Sequence, residues 1–501
     1  MKFQIVSHAG LSITGCGVQL LCDPWMIGST YWRSWWNYPP VSTDLVASLS
    51  PDFIYLTHIH WDHFQGISLR KFSKSTPIFI PKAPYMRMSK DLRDMGFHNL
   101  VELKHGERVE LRPGFALTCY HFGVFQDSAI VVECDGTTLF NCNDAKFMGA
   151  PLQQIFERHD RIDFVLRSHS SANSRLCFEI IDDPAQQVDD QSSYIRDFVA
   201  FARATGATYA IPFASNHCYL HKDVFHFNSR VTTPQMVKQY CESNGIDAPI
   251  VHIMLSGDSW SADKGFEIAE NDYFERRQER LEDYRAAQAE KLDSSYALEA
   301  QAKIELNQVE AYFIKLSRAM PLLLRLLFRR HPFTYIATAG AAHYIFEVDL
   351  WHGRVKQLES YTDERNPIQI HTSAFILWQC MDRNLFSHLA ISKRVKYRVT
   401  SSNKRYVQRL NLVFNMYEYE MLPIRNLFRG RCIEALFCRW REVLLYLRIG
   451  IELLTSRKFD MLRYLPPKYP AGMEPIAREG SPAFHGSEEC RENAVGGRVQ
   501  R

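Results

Sequence analysis

No apolar run in the 501 residues reaches the ~20 that a membrane-spanning helix requires, and residues 1–8 are too short and polar for a signal peptide. A dominant charge is missing too. Fifty-nine Lys and Arg against 56 Asp and Glu leave a net charge of +3, which gives no bulk electrostatic reason to expect nucleic acid. The twelve cysteines follow no regular spacing, so they form no evident disulfide framework and are expected as free thiols in the reducing cytoplasm. Also lacking are a Gly-x-Gly-x-x-Gly after a strand, a haem-attachment Cys-x-x-Cys-His, and any internal repeat. With 46% hydrophobic and 23% charged residues, the chain is expected to be globular and long enough for two or more domains.

What is present is concentrated in one segment, Thr57-His58-Ile59-His60-Trp61-Asp62-His63. It follows the apolar run 53–56, a short buried strand bounded upstream by Pro51-Asp52. On extended backbone His58 and His60 point to one side, while Asp62 and His63 fall where the chain turns toward a helix. Neutral imidazoles with a carboxylate suit zinc, iron or manganese, and no nearby thiolate suggests a closed structural zinc site. This spacing resembles the metal loop of the metallo-β-lactamase superfamily, which implies an α/β fold, an αββα sandwich.

Around that segment the chain alternates strand-like and helix-like stretches. Residues 2–6 and 17–22 read as the first two strands, the second ending at Asp23. Residues 25–40 hold four of the nine tryptophans. Trp25, Arg33, Trp35 and Trp36 there suit either a hydrophobic plug or a lid that stacks on a flat or sugar-like ligand while Arg33 meets an anion. A strand over 115–120 delivers His121. A hairpin turns at Asp135-Gly136 and ends beside Asp144, where a bridging carboxylate is expected in this fold. A strand over 209–213 runs into His217 and His221, of which His221 is favoured as a ligand and His217 as a loop residue. Cys119-x-His121 and Cys218-x-x-His221 mimic Rieske spacing, but lie too far apart for neighbouring loops of one small domain. The expected organisation is a metal domain over 1–265, a helical linker over 266–330, a C-terminal α+β domain over 331–465 and a disordered tail over 466–501. The apolar, basic run 321–330 suits a membrane surface, a cavity wall or, most commonly, a buried helix.

Asp23-Pro24-Trp25-Met26-Ile27-Gly28 followed by Arg33-Ser34-Trp35-Trp36 is similar to the corresponding loop of the CMP-N-acetylneuraminate hydroxylase family. The metal segment, and Pro212-Phe213-Ala214 with His221, match that family's pattern as well. The resemblance implies His58, His60 and His121 on one divalent metal, Asp62, His63 and His221 on a second, and Asp144 bridging. Asp62 and Asp144 would be the catalytic carboxylates, and Asp23 would orient a ligand histidine from behind. It implies iron, a nucleotide-sugar-like substrate and a monooxygenase reaction. The family's Rieske domain is not found ahead of the metal segment, so a separate Rieske or ferredoxin donor is expected. The alternative is a zinc-dependent hydrolase of a phosphodiester, lactone or amide.

Overall fold

A computed structural model describes residues 1–467 except 124–126, 171, 173, 187 and 455–459. The tail expected to be disordered lies, from 468 onward, outside the described residues. Two sheets face each other. The first has eight strands and runs from Gly265–Glu267 through Lys2–Ile5, Leu11–Gly15, Val18–Cys22 and Phe53–Tyr55 to Leu100–Leu103. The second has seven and carries Tyr209–Phe213, Phe164–Ser168, Thr137–Asn143, Asp127–Cys134 and Phe115–Phe122 side by side.

The period-two alternation of strand side chains decides which residues lie between them. Leu20 and Cys22 point inward with Leu117, Cys119, Ile130 and Val132. Leu21 points outward, where Leu56, Ile78 and the helix Arg87–Asp94 cover that face. On the far side Val131, Phe140 and Val165 pack beneath the helices Gly149–Arg158, Gln191–Thr205 and Trp440–Leu454. The result is helix, sheet, sheet, helix in layers. The hairpin Leu11–Gly15 to Val18–Cys22 inserts a strand that hydropathy alone does not set apart, because Cys16-Gly17 turns it in two residues of positive φ.

A six-stranded sheet built mainly from residues 333–399 forms a second core beneath the helices Leu306–Ala319, Ala374–Arg383 and Lys404–Glu418. Its edge strand, Phe178–Ile180, comes from the first half of the chain and pairs in parallel with Val395–Val399. The helix Ala374–Arg383 ends at Asn384, which takes the left-handed conformation (φ 54°), and the helix Phe386–Ser392 follows. Residues Met1–Lys468 make one compact unit. Among the described residues no helix is long and apolar enough to cross a membrane.

Candidate metal centre

Strands that run in one sense end at one edge of the sandwich, and the polar cluster follows those ends. Lys2–Ile5 leads to His8, Val18–Cys22 to Asp23, Phe53–Tyr55 to His58, and Thr137–Asn143 to Asp144. Pairing of Cys22 with Tyr55 carries both chains out together, and the Asp23 amide donates to the Tyr55 carbonyl (3.0 Å).

Asp23 is the anchor. Its side chain is fully buried and accepts from the Thr57 amide (2.8 Å), the Thr57 hydroxyl (2.7 Å) and Nδ1 of His63 (2.9 Å). The Thr57 hydroxyl spends its one proton on Asp23, so its oxygen accepts from Nδ1 of His58 at 3.0 Å. With Nδ1 held from behind, both rings turn Nε2 inward. Asp144 Oδ2 sits 3.7 Å from Nε2 of His58 and 3.7 Å from Nε2 of His63. His8 places Nε2 3.2 Å from Asp62 Oδ2, and the Tyr31 hydroxyl donates to Asp62 Oδ1 at 2.5 Å.

Two groups of three ligand atoms result: His58, His60 and Asp144, and His8, Asp62 and His63, each within 4.8 Å of one another. Nε2 of His58, Nε2 of His63, Nδ1 of His8 and Oδ1 of Asp144 are buried without a hydrogen-bond partner. Unpaired buried polar atoms are costly, and the two Nε2 atoms that face the Asp144 carboxylate without a hydrogen-bond partner fit a cation. The electrostatics agree. Burial disfavours a charged His63, yet Asp62, Asp144 and Asp23 outweigh it and raise its pKa well above the ordinary imidazole value. Burial likewise opposes ionisation of Asp62, but His63 and His8 hold its pKa well below the usual range. At His60 burial wins, with His58 and His388 adding to it, and the ring stays neutral. Burial, with Asp144 adding to it, pushes the Asp127 carboxyl up to about 6 against His58 and His63.

Two residues expected as ligands stand elsewhere. His121 lies inside the strand Phe115–Phe122, and its Nε2 meets the Leu103 carbonyl (3.0 Å) in the facing sheet. Two strand positions separate it from Asn143, ~10 Å at the usual strand spacing. His221 packs edge-on against Tyr296, with Nε2 3.7 Å from Glu299, and burial pushes its pKa down to about 2. His217 is the nearer of the pair: it stacks flat on Trp35 at 3.7 Å and lies 5.4 Å from His8. The Rieske-like cysteines are engaged apart, Cys119 with the Tyr55 hydroxyl and Cys218 in an apolar cluster with Trp36 and Leu220.

The tryptophan loop forms a plug. Trp25, Trp35 and Trp36 are buried, and Trp35–Asn37 pairs with His217–Tyr219. Arg33 is partly exposed and donates to Ser29 (3.1 Å). With Trp32, Trp61, Arg70, Lys291 and Arg383 it lines an open groove of about 700 Å³, whose wall includes Tyr31.

Two residues in or beside the candidate cluster had no sequence signal. His8 follows the first strand at a tight turn closed by Gly10, and a lone histidine there has no motif around it. His388 comes from the helix Phe386–Ser392, its ring 5.6 Å from His60 and 4.8 Å from Trp61. Its Nδ1 lies 3.2 Å from the buried Glu418, while its Nε2 is buried and unpaired.

No protein-family model matches the chain. It is 29% identical over 253 residues to a Mycobacterium tuberculosis protein named for a Rieske 2Fe-2S centre, the match covering 47% of each. It is 24% identical over 145 residues to the Sus scrofa cytidine monophosphate-N-acetylneuraminic acid hydroxylase, 28% of this chain and 33% of that one. The matches thus span about half or less of the curated relatives' length. Among solved structures, the metallo-β-lactamase fold protein YhfI of Bacillus subtilis aligns at 13% identity and a TM-score of 0.36, over 52% of this chain and 98% of that one. The two facing sheets, with helices on both outer faces, have the α/β, αββα layering expected from the histidine segment.

Proposed function

We propose that the chain is a binuclear metal-dependent oxygenase acting on an anionic, nucleotide-sugar-like substrate, with electrons from a separate Rieske or ferredoxin-type donor. The observation that carries the metal reading is that Asp144 Oδ2 lies 3.7 Å from Nε2 of both His58 and His63. His58, His60 and Asp144 would hold one divalent ion, and His8, Asp62 and His63 the other. Bound there, such ions polarise a substrate oxygen and activate water, and iron adds redox chemistry. The likeness to a hydroxylase and to a Rieske-named protein supports the redox choice over hydrolysis.

The chain's own residues do the positioning. Asp23 fixes the His63 ring and, through Thr57, the His58 ring. Tyr31 and His8 hold Asp62 from two sides. In the groove, Arg33, Arg70 and Arg383 offer cations to a phosphate or carboxylate, and Trp32 and Trp61 offer faces to a base or sugar.

A hydrolase is the second reading, favoured by the purely nitrogen and oxygen donor set, which suits zinc equally. Metal analysis of anaerobically purified protein, with turnover of CMP-linked sialate in air and without it, separates the two. The oxygenase reading expects iron and a rate that needs both dioxygen and an added Rieske ferredoxin with its reductase. Zinc with undiminished anaerobic turnover would overturn it.

A further inference from the structure

The helices Gly430–Cys438 and Trp440–Leu454 carry two apolar faces where a surface helix normally has one. The inner face is accounted for. Leu445 and Ile449 pack in the core beneath the second sheet, so close to Gly149 that a Cβ there would meet Leu445 at 2.8 Å. Glu442 accepts from the Gly123 amide (2.8 Å) and Arg439 donates to the Gly123 carbonyl (2.8 Å), which pins the helix to the sandwich.

The outer face has no partner among the described residues. Phe437, Trp440, Leu444, Leu447 and Ile451 fall at intervals of three and four, with Phe437 75% and Trp440 56% exposed. Arginine outnumbers glutamate around this stripe. Residues 425–452 hold six arginines and three glutamates. Glu434 binds Lys82 and Lys104, Glu442 is buried on Arg439, and Glu452 accepts from Arg448 and the Tyr464 hydroxyl. Arg425, Arg429 and Arg448 are exposed at its margin, Arg429 with Glu420 3.5 Å away.

We propose that this face docks on an anionic lipid bilayer, Trp440 and its neighbours entering the headgroup boundary while the arginines meet lipid phosphate and carboxylate. An amphipathic helix with Trp, Phe and Leu on one side and arginine at the rim has the chemistry of interfacial binding. Charge argues against a second copy, since a two-fold contact would set the same arginines against each other.

Flotation of the full-length protein with phosphatidylcholine vesicles, with and without about 30 mol% phosphatidylserine, tests the assignment. Binding is expected to the anionic vesicles only, and to weaken in about 0.5 M salt. The double substitution Leu444→Glu with Leu447→Glu should reduce it at least ~10-fold, leaving metal content and turnover unchanged. Arg425→Glu with Arg429→Glu, which leaves the apolar face untouched, should weaken anionic binding as well. Failure to float with either vesicle, equal binding to neutral vesicles, or binding retained by both double variants would each overturn the proposal. So would concentration-dependent self-association that Leu444→Glu with Leu447→Glu abolishes while vesicles stay unbound.

Discussion

His63 follows a core strand and His121 lies near the end of one, and both are buried, yet their surroundings differ in kind. At His63 a carboxylate takes Nδ1 and leaves Nε2 bare toward Asp144. At His121 the Leu103 carbonyl takes Nε2. One ring is anchored behind and open in front, and the other has its outer nitrogen occupied by backbone. The number of histidines near a strand end therefore says less about metal binding than which nitrogen the backbone consumes.

The largest test exchanges these two. Asp144→Asn should strip most bound metal and lower turnover by about 10³-fold or more, as loss of a ligand shared by both ions would. His121→Gln should keep metal stoichiometry, measured by emission spectrometry on dialysed protein. Metal loss in His121→Gln, with Asp144→Asn still loaded, would reverse the comparison. A second test crosses to the C-terminal half. His388→Phe should retain metal but slow kcat by about 10²-fold, the scale of a lost proton-handling group, because this ring brings a buried, unpaired nitrogen from that half beside His60. An unaltered kcat would show that His388 merely packs. Asp23→Asn should weaken metal affinity by about 10- to 100-fold, since the amide orients His63 without the charge. Titration against a competing chelator reads this directly.

The smallest effect concerns a buried histidine outside the ligand set. Burial pushes His169 down to about 3, so it is neutral in the folded chain while the unfolded chain takes a proton near the ordinary imidazole value. Its stabilising contribution is therefore full above pH ~6.5 and is lost as pH falls from there toward 3. Between pH 7 and 5 the wild type should lose about 2 kcal/mol that His169→Gln does not, read from urea midpoints at the two pH values. Equal losses would contradict a neutral, proton-excluding site at that ring.

The convergence of the segment 57–63 is legible in sequence because strand, turn and candidate ligands are all local. Asp144 is legible for a similar reason, being the first residue past a hairpin strand with a clear turn. His8 is not, because what makes it matter is the parallel course of Lys2–Ile5 and Val18–Cys22 through an intervening strand. His388 is less accessible still, since its position depends on packing between two sheets' worth of distant chain. The tryptophan loop shows the limit of composition. Its aromatic density suits plug and lid alike, and the decision rests on the pairing of Trp35–Asn37 with His217–Tyr219.

Phe178–Ile180 completes the C-terminal sheet from the first half of the chain, and Arg398 reaches across 219 positions to Glu179 at 2.7 Å. On the ribosome that strand emerges long before Val395–Val399, and it must wait unpaired while the sandwich around it can already form. Closure of this long loop is a late, entropically expensive step. A nascent or truncated chain ending before residue 395 would display the strand's backbone amides and carbonyls to other chains, and chaperone dependence during synthesis is the expected outcome.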